Sequence, residues 1–330
     1  MEEESKVIRM DLSDKVRFWK VFDYFFVTRP ILYFPGWATL IAGYFAAFSG
    51  FNFLRDGVNH LIGVDSRLLI GLVAFGAAMG GSFILNQLAD VETDRNNNKL
   101  FFFGEGLISV QTGFIESFLL IFVALFLGLK VHWMLTIAIA LFILITGYLY
   151  NFAPFNYKNK PIAGLVMNML MGWLAFIIGW LLIKPIGMAA LVQSLPFLFF
   201  NTGLYFLTTL PDVRGDREAG KITFPVKYGF GKTVYFSFVA FLISLLISIL
   251  LQNYFLIFVA LLSLPFYALL IVKKDISRAI LTVKYGITFF CLMISVLYPL
   301  FFLILFVIFF ATRVYYKFRF DFQYPTFNGK

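Results

Sequence analysis

Residues 68–94 read LLIGLVAFGAAMGGSFILNQLADVETD, an apolar run that closes on Asn86, Asp90 and Asp94. The part at 68–89 meets the length of about 20 mostly apolar residues that a helix needs to cross a bilayer. The same design recurs downstream. An apolar run at 188–210 leads into PDVRGDREAGKITFP (211–225), with Asp212 and Asp216 at the same four-residue interval. Residues four apart share one helix face, so each pair aims two carboxylates at one point. A hard cation such as Mg2+ takes oxygen ligands and is often held by one or two carboxylates plus substrate phosphates. The two clusters therefore suit a grip on a single diphosphate.

Composition sets the class around this pair. Of the 330 residues 61% are hydrophobic and only 14% charged, and 45 are Phe, which indicates a polytopic membrane protein. The net charge of +9 sits in short loops, where basic residues orient helices and meet anionic headgroups, so nucleic acid is excluded as a partner. Cys291 is the only cysteine and can enter neither a disulfide nor a thiolate metal site. The two histidines, His60 and His132, lack metal-ligand spacing and read as interfacial side chains. Glu92, Glu105, Glu116 and Glu218 read as solvated carboxylates.

The fold class expected is all-α, a bundle of about nine transmembrane helices at roughly 30–50, 68–89, 107–129, 131–151, 162–183, 188–210, 233–251, 253–272 and 285–311. Residues 1–28 would be a cytoplasmic amphipathic segment. Residues 29–330 would form one membrane domain with two similar halves, 29–161 and 162–330. Nine spans place nineteen of the 27 lysines and arginines on the N-terminal side, with Arg55, Arg67, Lys130, Lys184, Arg313, Lys317, Arg319 and Lys330 opposite. The positive-inside rule then puts the N-terminus in the cytoplasm of a multi-pass cell-membrane protein. Both aspartate clusters fall on that basic face. So does the loop YNFAPFNYKNKP (150–161), which carries Tyr150, Lys158 and Lys160. Acidic clusters beside basic residues are what a metal-bridged diphosphate requires.

At these residues the chain resembles the UbiA superfamily of intramembrane prenyltransferases. NQLADVETD is similar to that family's first motif, and PDVRGDREAGKITFPVKYG to its second. Arg29-Pro30 opening the first span and the Tyr150, Pro154, Lys158 loop agree as well. The resemblance implies a helical bundle, Mg2+ as cofactor, a polyprenyl diphosphate donor and a lipophilic acceptor: an aromatic quinone precursor, a chlorophyll- or carotenoid-type isoprenoid or a lipid alcohol. It implies that Asp90, Asp94, Asp212 and Asp216 hold the metal and that Asn86 orients the site. Arg29, Lys99, Lys158, Arg217 and Lys221 would donate to the diphosphate. Tyr150 would face the allyl cation. The chain departs from the family at Phe102 and Phe103, where an Arg-Pro pair is common, and Lys99 is the candidate replacement cation. It departs again at Asn151, where Ser is common, and at Asn156, where Arg is common.

Two other classes use intramembrane carboxylates. A transporter would show them at mid-span in inverted halves, and a CDP-alcohol-type phosphotransferase needs an upstream aspartate that is missing between Asp65 and Asp90. GFGKT at Gly229–Thr233 has neither the spacing nor the preceding strand of a P-loop and reads as a loop entering the seventh span.

Overall fold

The computed structural model describes residues 18–48, 65–91 and 102–325; Asp94 and Lys99 lie outside them. Among the described residues every regular element is helical. Among the described residues nine helices are long and apolar enough to cross a membrane, and a tenth, at Trp133–Leu149, is shorter. In chain order they are α1 Phe18–Phe48, α2 Ser66–Ala89, α3 Val110–Val131, α4 Trp133–Leu149 and α5 Pro161–Leu181. There follow α6 Met188–Thr208, α7 Phe224–Leu250, α8 Tyr254–Lys273, α9 Ile276–Leu297 and α10 Pro299–Phe320. A short helix at Val213–Glu218 carries the second motif.

Local chemistry sets the boundaries. The side chains of Asp65, Ser109, Asn253 and Asp275 accept hydrogen bonds from the free backbone N–H groups at the starts of α2, α3, α8 and α9. Pro161, Pro225 and Pro299 stand in first turns, where no N–H is needed. α3 and α4 are separated by His132 alone, whose Nδ1 accepts from the Met134 N–H at 3.1 Å.

Small residues bring backbones together where no hydrophobic effect separates helix from lipid. α1 and α5 cross so closely that a Cβ at Gly43 would lie 2.0 Å from the Phe176 carbonyl oxygen, and one at Gly179 1.8 Å from that of Leu40. Buried hydroxyls stitch other pairs, such as Ser117 donating to the Gly81 carbonyl between α3 and α2 and Ser237 to the Gly203 carbonyl between α7 and α6. Phe75, Phe176, Phe197, Phe200 and Phe290 fill the main core.

Three expectations change. The final apolar run is two helices: α9 starts at Ile276, and Tyr298-Pro299 turns the chain into α10. That reverses the parity of the C-terminus, and Arg319 at the end of α10 pairs with Asp23 at the start of α1. Arg313, Lys317 and Arg319 therefore join the basic face. α7 also begins earlier than expected, at Phe224, so GFGKT is helix broken at Gly229, whose φ of 84° is left-handed. Finally, the first described turns of α1 mix apolar and charged side chains on both faces: Val21 is 71% exposed, while Asp23 is 2% and Val27 0% exposed.

Candidate active site

Both aspartate motifs end up at the same end of the bundle, and their assembly can be followed from the backbone. α2 stops at Ala89, and Asp90 adopts φ −112°, ψ 11° as its cap. The Gln87 amide, one turn earlier, donates to the Val27 carbonyl at 2.7 Å, which ties the foot of α2 to α1. In the second motif the Asp216 N–H bonds the Asp212 carbonyl at 2.8 Å, so the two aspartates stand one helical turn apart. Gly220 then takes φ 70°, and the Lys221 N–H closes back on the Asp216 carbonyl at 2.8 Å. This is the left-handed helix stop that glycine favours. Its effect is to turn Lys221 towards the first motif.

Lys221 Nζ reaches Asp90 Oδ1 at 2.8 Å, and Lys158 Nζ reaches Asp90 Oδ2 at 2.7 Å. The two lysine side chains are 13% and 8% exposed. Lys158 arrives from the α4–α5 loop, which folds back so that the Lys158 N–H donates to the Tyr150 carbonyl at 3.1 Å. Asn86 Nδ2 donates to Asn151 Oδ1 at 2.6 Å and lies 3.4 Å from Asp90 Oδ2. The Asn151 amide is fixed in turn by the carbonyls of Thr146 and Gly147, which the π-turn Leu144–Leu149 presents. Such wide turns recur at functional sites because they re-aim the residues that follow. Burial pushes the Asp90 carboxyl up, but the two ammonium groups outweigh it and hold the group below its ordinary range.

Asp216 is 8% exposed and accepts from the Thr223 hydroxyl at 3.2 Å. Tyr150 stands between the clusters: its hydroxyl pairs with Asn168 of α5 and Tyr205 of α6, and it feels the charge of both Asp90 and Asp216. Burial is the largest cause of its raised pKa, so the phenol stays protonated.

The structure thus gathers Asn86, Asp90, Lys158 and Lys221, with Tyr150 and Asp216 alongside. Asp212 is half-buried at the start of the motif helix, and Arg217 points to its exposed side. Arg29 is placed close to Tyr316 and Tyr324 near the C-terminus. Asn151, Asn168 and Tyr205 were missed by motif reading. Asn168 and Tyr205 had one available signal, as polar side chains inside apolar helices. Phe102 and Phe103, at the position of the family's Arg-Pro pair, are core residues packed with Phe26 and Tyr316. Glu105 and Glu218 are exposed. Glu116 departs from the solvated reading: it sits in α3 beside Tyr33, and its Oε2 is buried without a hydrogen-bond partner.

The oxygen-only donor set fits a hard divalent cation. Among the described residues no three acidic, His or Cys side chains are grouped so as to hold a metal ion.

The sequence model of the UbiA prenyltransferase family matches residues 36–285. The chain belongs to this family. Among curated relatives it is 31% identical over 211 residues to the digeranylgeranylglyceryl phosphate synthase of Methanococcus aeolicus, covering 64% of this chain and 69% of that one. It is 30% identical over 173 residues to the 2-acylphloroglucinol 4-prenyltransferase of Humulus lupulus, where the match covers 49% of this chain and 41% of the relative. The fold is that of a UbiA homolog from Archaeoglobus fulgidus solved with DMAPP and Mg2+: TM-score 0.60 at 18% identity, over 82% of this chain and 99% of that one. A UbiA homolog from Aeropyrum pernix gives TM-score 0.60 at 13% identity, over 82% and 97%. Family membership removes the ground for the transporter and phosphotransferase readings. α10 lies beyond the stretch that the UbiA family model matches.

Proposed function

We propose that the protein transfers a prenyl group from a polyprenyl diphosphate to a lipophilic acceptor and releases pyrophosphate. The observation that carries this reading is the meeting at Asp90 of Lys158 from one half of the chain and Lys221 from the other. Mg2+, when bound, would supply the positive charge against which the diphosphate leaves, and Asp90, Asp94, Asp212 and Asp216 are the residues to hold it. Breaking the C1–O bond leaves the electron pair on the diphosphate and an allyl cation on the chain. Lys158 and Lys221 offer charged donors to the oxygens that gain charge, in surroundings that exclude most water. Tyr150, held by Asn168 and Tyr205, presents a ring to the cation, an attraction of about 0.5–2 kcal/mol. The acceptor's electron pair then closes the new bond and its proton is released.

The relatives, a 2-acylphloroglucinol 4-prenyltransferase and a digeranylgeranylglyceryl phosphate synthase, support both an aromatic acceptor and a lipid alcohol. The basic face, enlarged by Arg313, Lys317 and Arg319, supports a cytoplasmic location for the motifs and both described ends of the chain. The test is incubation of purified protein in detergent with radiolabelled geranylgeranyl diphosphate and a native lipid extract. Label should pass into the lipid fraction with Mg2+ and remain water-soluble with EDTA. Label that never enters lipid from folded protein, across several donor lengths, would refute the reading.

A further inference from the structure

α10 lies outside the family match, yet it is bonded to the start of α1 by a buried polar cluster. Arg319 Nε and Nη2 donate to Asp23 Oδ1 and Oδ2, each at 3.0 Å. The Tyr315 hydroxyl donates to Asp23 Oδ1 at 2.5 Å. Asp23 and Tyr315 are 2% and 0% exposed. A two-point guanidinium–carboxylate pair fixes orientation as well as distance. Stacked rings extend the joint: Phe26 on Tyr315 at 3.9 Å between centroids, and Trp19 on Phe318 at 5.7 Å.

This joint lies immediately before a break in α1. After Thr28, Arg29 takes φ 54°, ψ 56°, the left-handed region that non-glycine residues occupy uncommonly and at some cost. The turn Pro30–Leu32 follows and packs against α10. Tyr316 and Tyr324 lie within reach of the Arg29 charge. On the same side of the break as Asp23, the Gln87 amide grips the Val27 carbonyl at 2.7 Å, one turn before Asp90. The segment carrying Arg29 is therefore held between the foot of α2, which bears the first aspartate motif, and the end of α10.

We propose that Asp23, Tyr315 and Arg319 are positioning residues for Arg29, so that the C-terminal helix forms part of the donor-diphosphate site. The inference rests on the proposed function and on the role of diphosphate donor that the family resemblance implies for Arg29. The left-handed turn would relax if the joint were loosened, because no glycine lowers its cost. Arg29 would then lose its aim at the diphosphate while Asp90, Lys158 and Lys221 kept their own contacts.

The experiment is a double-mutant cycle in the full-length protein, with donor KM, kcat and inhibition by inorganic pyrophosphate measured in detergent and folding checked by thermal melt. Arg29→Ala, Asp23→Asn and Tyr315→Phe are compared alone, and each joint variant is combined with Arg29→Ala. Tyr315→Phe keeps the ring stack and the ion pair, so it remains informative if Asp23→Asn does not fold. The expected result is a rise in donor KM of about tenfold for Arg29→Ala, the size of a lost hydrogen bond to a charged group. Tyr315→Phe and Asp23→Asn should raise KM in the same direction, weaken pyrophosphate inhibition in step and leave kcat nearly unchanged. Neither should add to Arg29→Ala. Additive effects, or a fall in kcat with KM unchanged, would overturn the positioning role. Wild-type donor KM in Arg29→Ala itself would instead overturn the role of Arg29.

Discussion

Asp90 holds two ammonium groups on one carboxylate, and removing its charge touches every part of the proposed chemistry. Asp90→Asn keeps the shape, and its turnover should fall by at least about 10²-fold, the scale of losing one main electrostatic contact to a developing charge. Undiminished turnover in a steady-state assay would contradict its role. Acid stability gives a second reading of the same contacts. A carboxylate whose pKa is depressed by folding contributes stability that is complete above its unfolded pKa and is lost as pH falls through the folded value. Lys158 and Lys221 lower the Asp90 pKa against the opposing effect of burial, so removing both should lower stability at neutral pH and abolish Asp90's share of the loss on acidification. Thermal melts of Lys158→Ala/Lys221→Ala against wild type across the acid range test this, and superimposable acid limbs would refute it. At this scale the sequence was informative where residues stand in motifs: Asp90, Asn86, Lys158 and Lys221 were legible, and they meet. Asn151, Asn168 and Tyr205 were not, because their roles depend on three separate helices being brought together.

The element that delivers Lys221 is the short helix at Val213–Glu218 and its glycine stop. A Cβ on Gly220 would touch nothing within 4 Å, so space does not require the glycine; its φ of 70° does. Gly220→Ala should cost about 1–2 kcal/mol of local conformation. It should lower activity by the same route as Lys221→Ala, so the two together should be little worse than the worse of them. A fully additive pair in the same assay would show that the turn serves some other purpose. The crossing of α1 and α5 is a separate constraint, since Gly43 and Gly179 face opposing carbonyl oxygens. Gly179→Ala must push the helices apart at a cost of about 1–3 kcal/mol, readable as a lower melting temperature, and an unchanged melt would contradict the packing. Apolar length revealed most helices. It misjudged the last run because no charged residue separates α9 from α10, and the clearest mark was Pro299, a residue that starts helices more readily than it continues them.

Across the whole molecule, parity follows from that one misread boundary. With α10 separate, the end of the last described helix returns to the beginning of the first, and a buried pair, Asp23 with Arg319, joins them. Arg319→Ala would leave a buried carboxylate unpaired, a loss of about 3–5 kcal/mol, and differential scanning calorimetry should show it as marked destabilisation. Arg319→Lys, which cannot make the two-point contact, should fall between. The joint was invisible in the sequence because its partners are nearly three hundred residues apart and belong to no motif. The central claim is that both halves of the chain build one diphosphate-ionising site, and it is most directly tested by pyrophosphate release from geranylgeranyl diphosphate. Wild type, Asp90→Ala and Asp212→Ala would be assayed with lipid acceptors, in Mg2+ and in EDTA. Wild type should show metal-dependent release that is lost in each variant. Release that persists in EDTA, or that survives either substitution in folded protein, would contradict it.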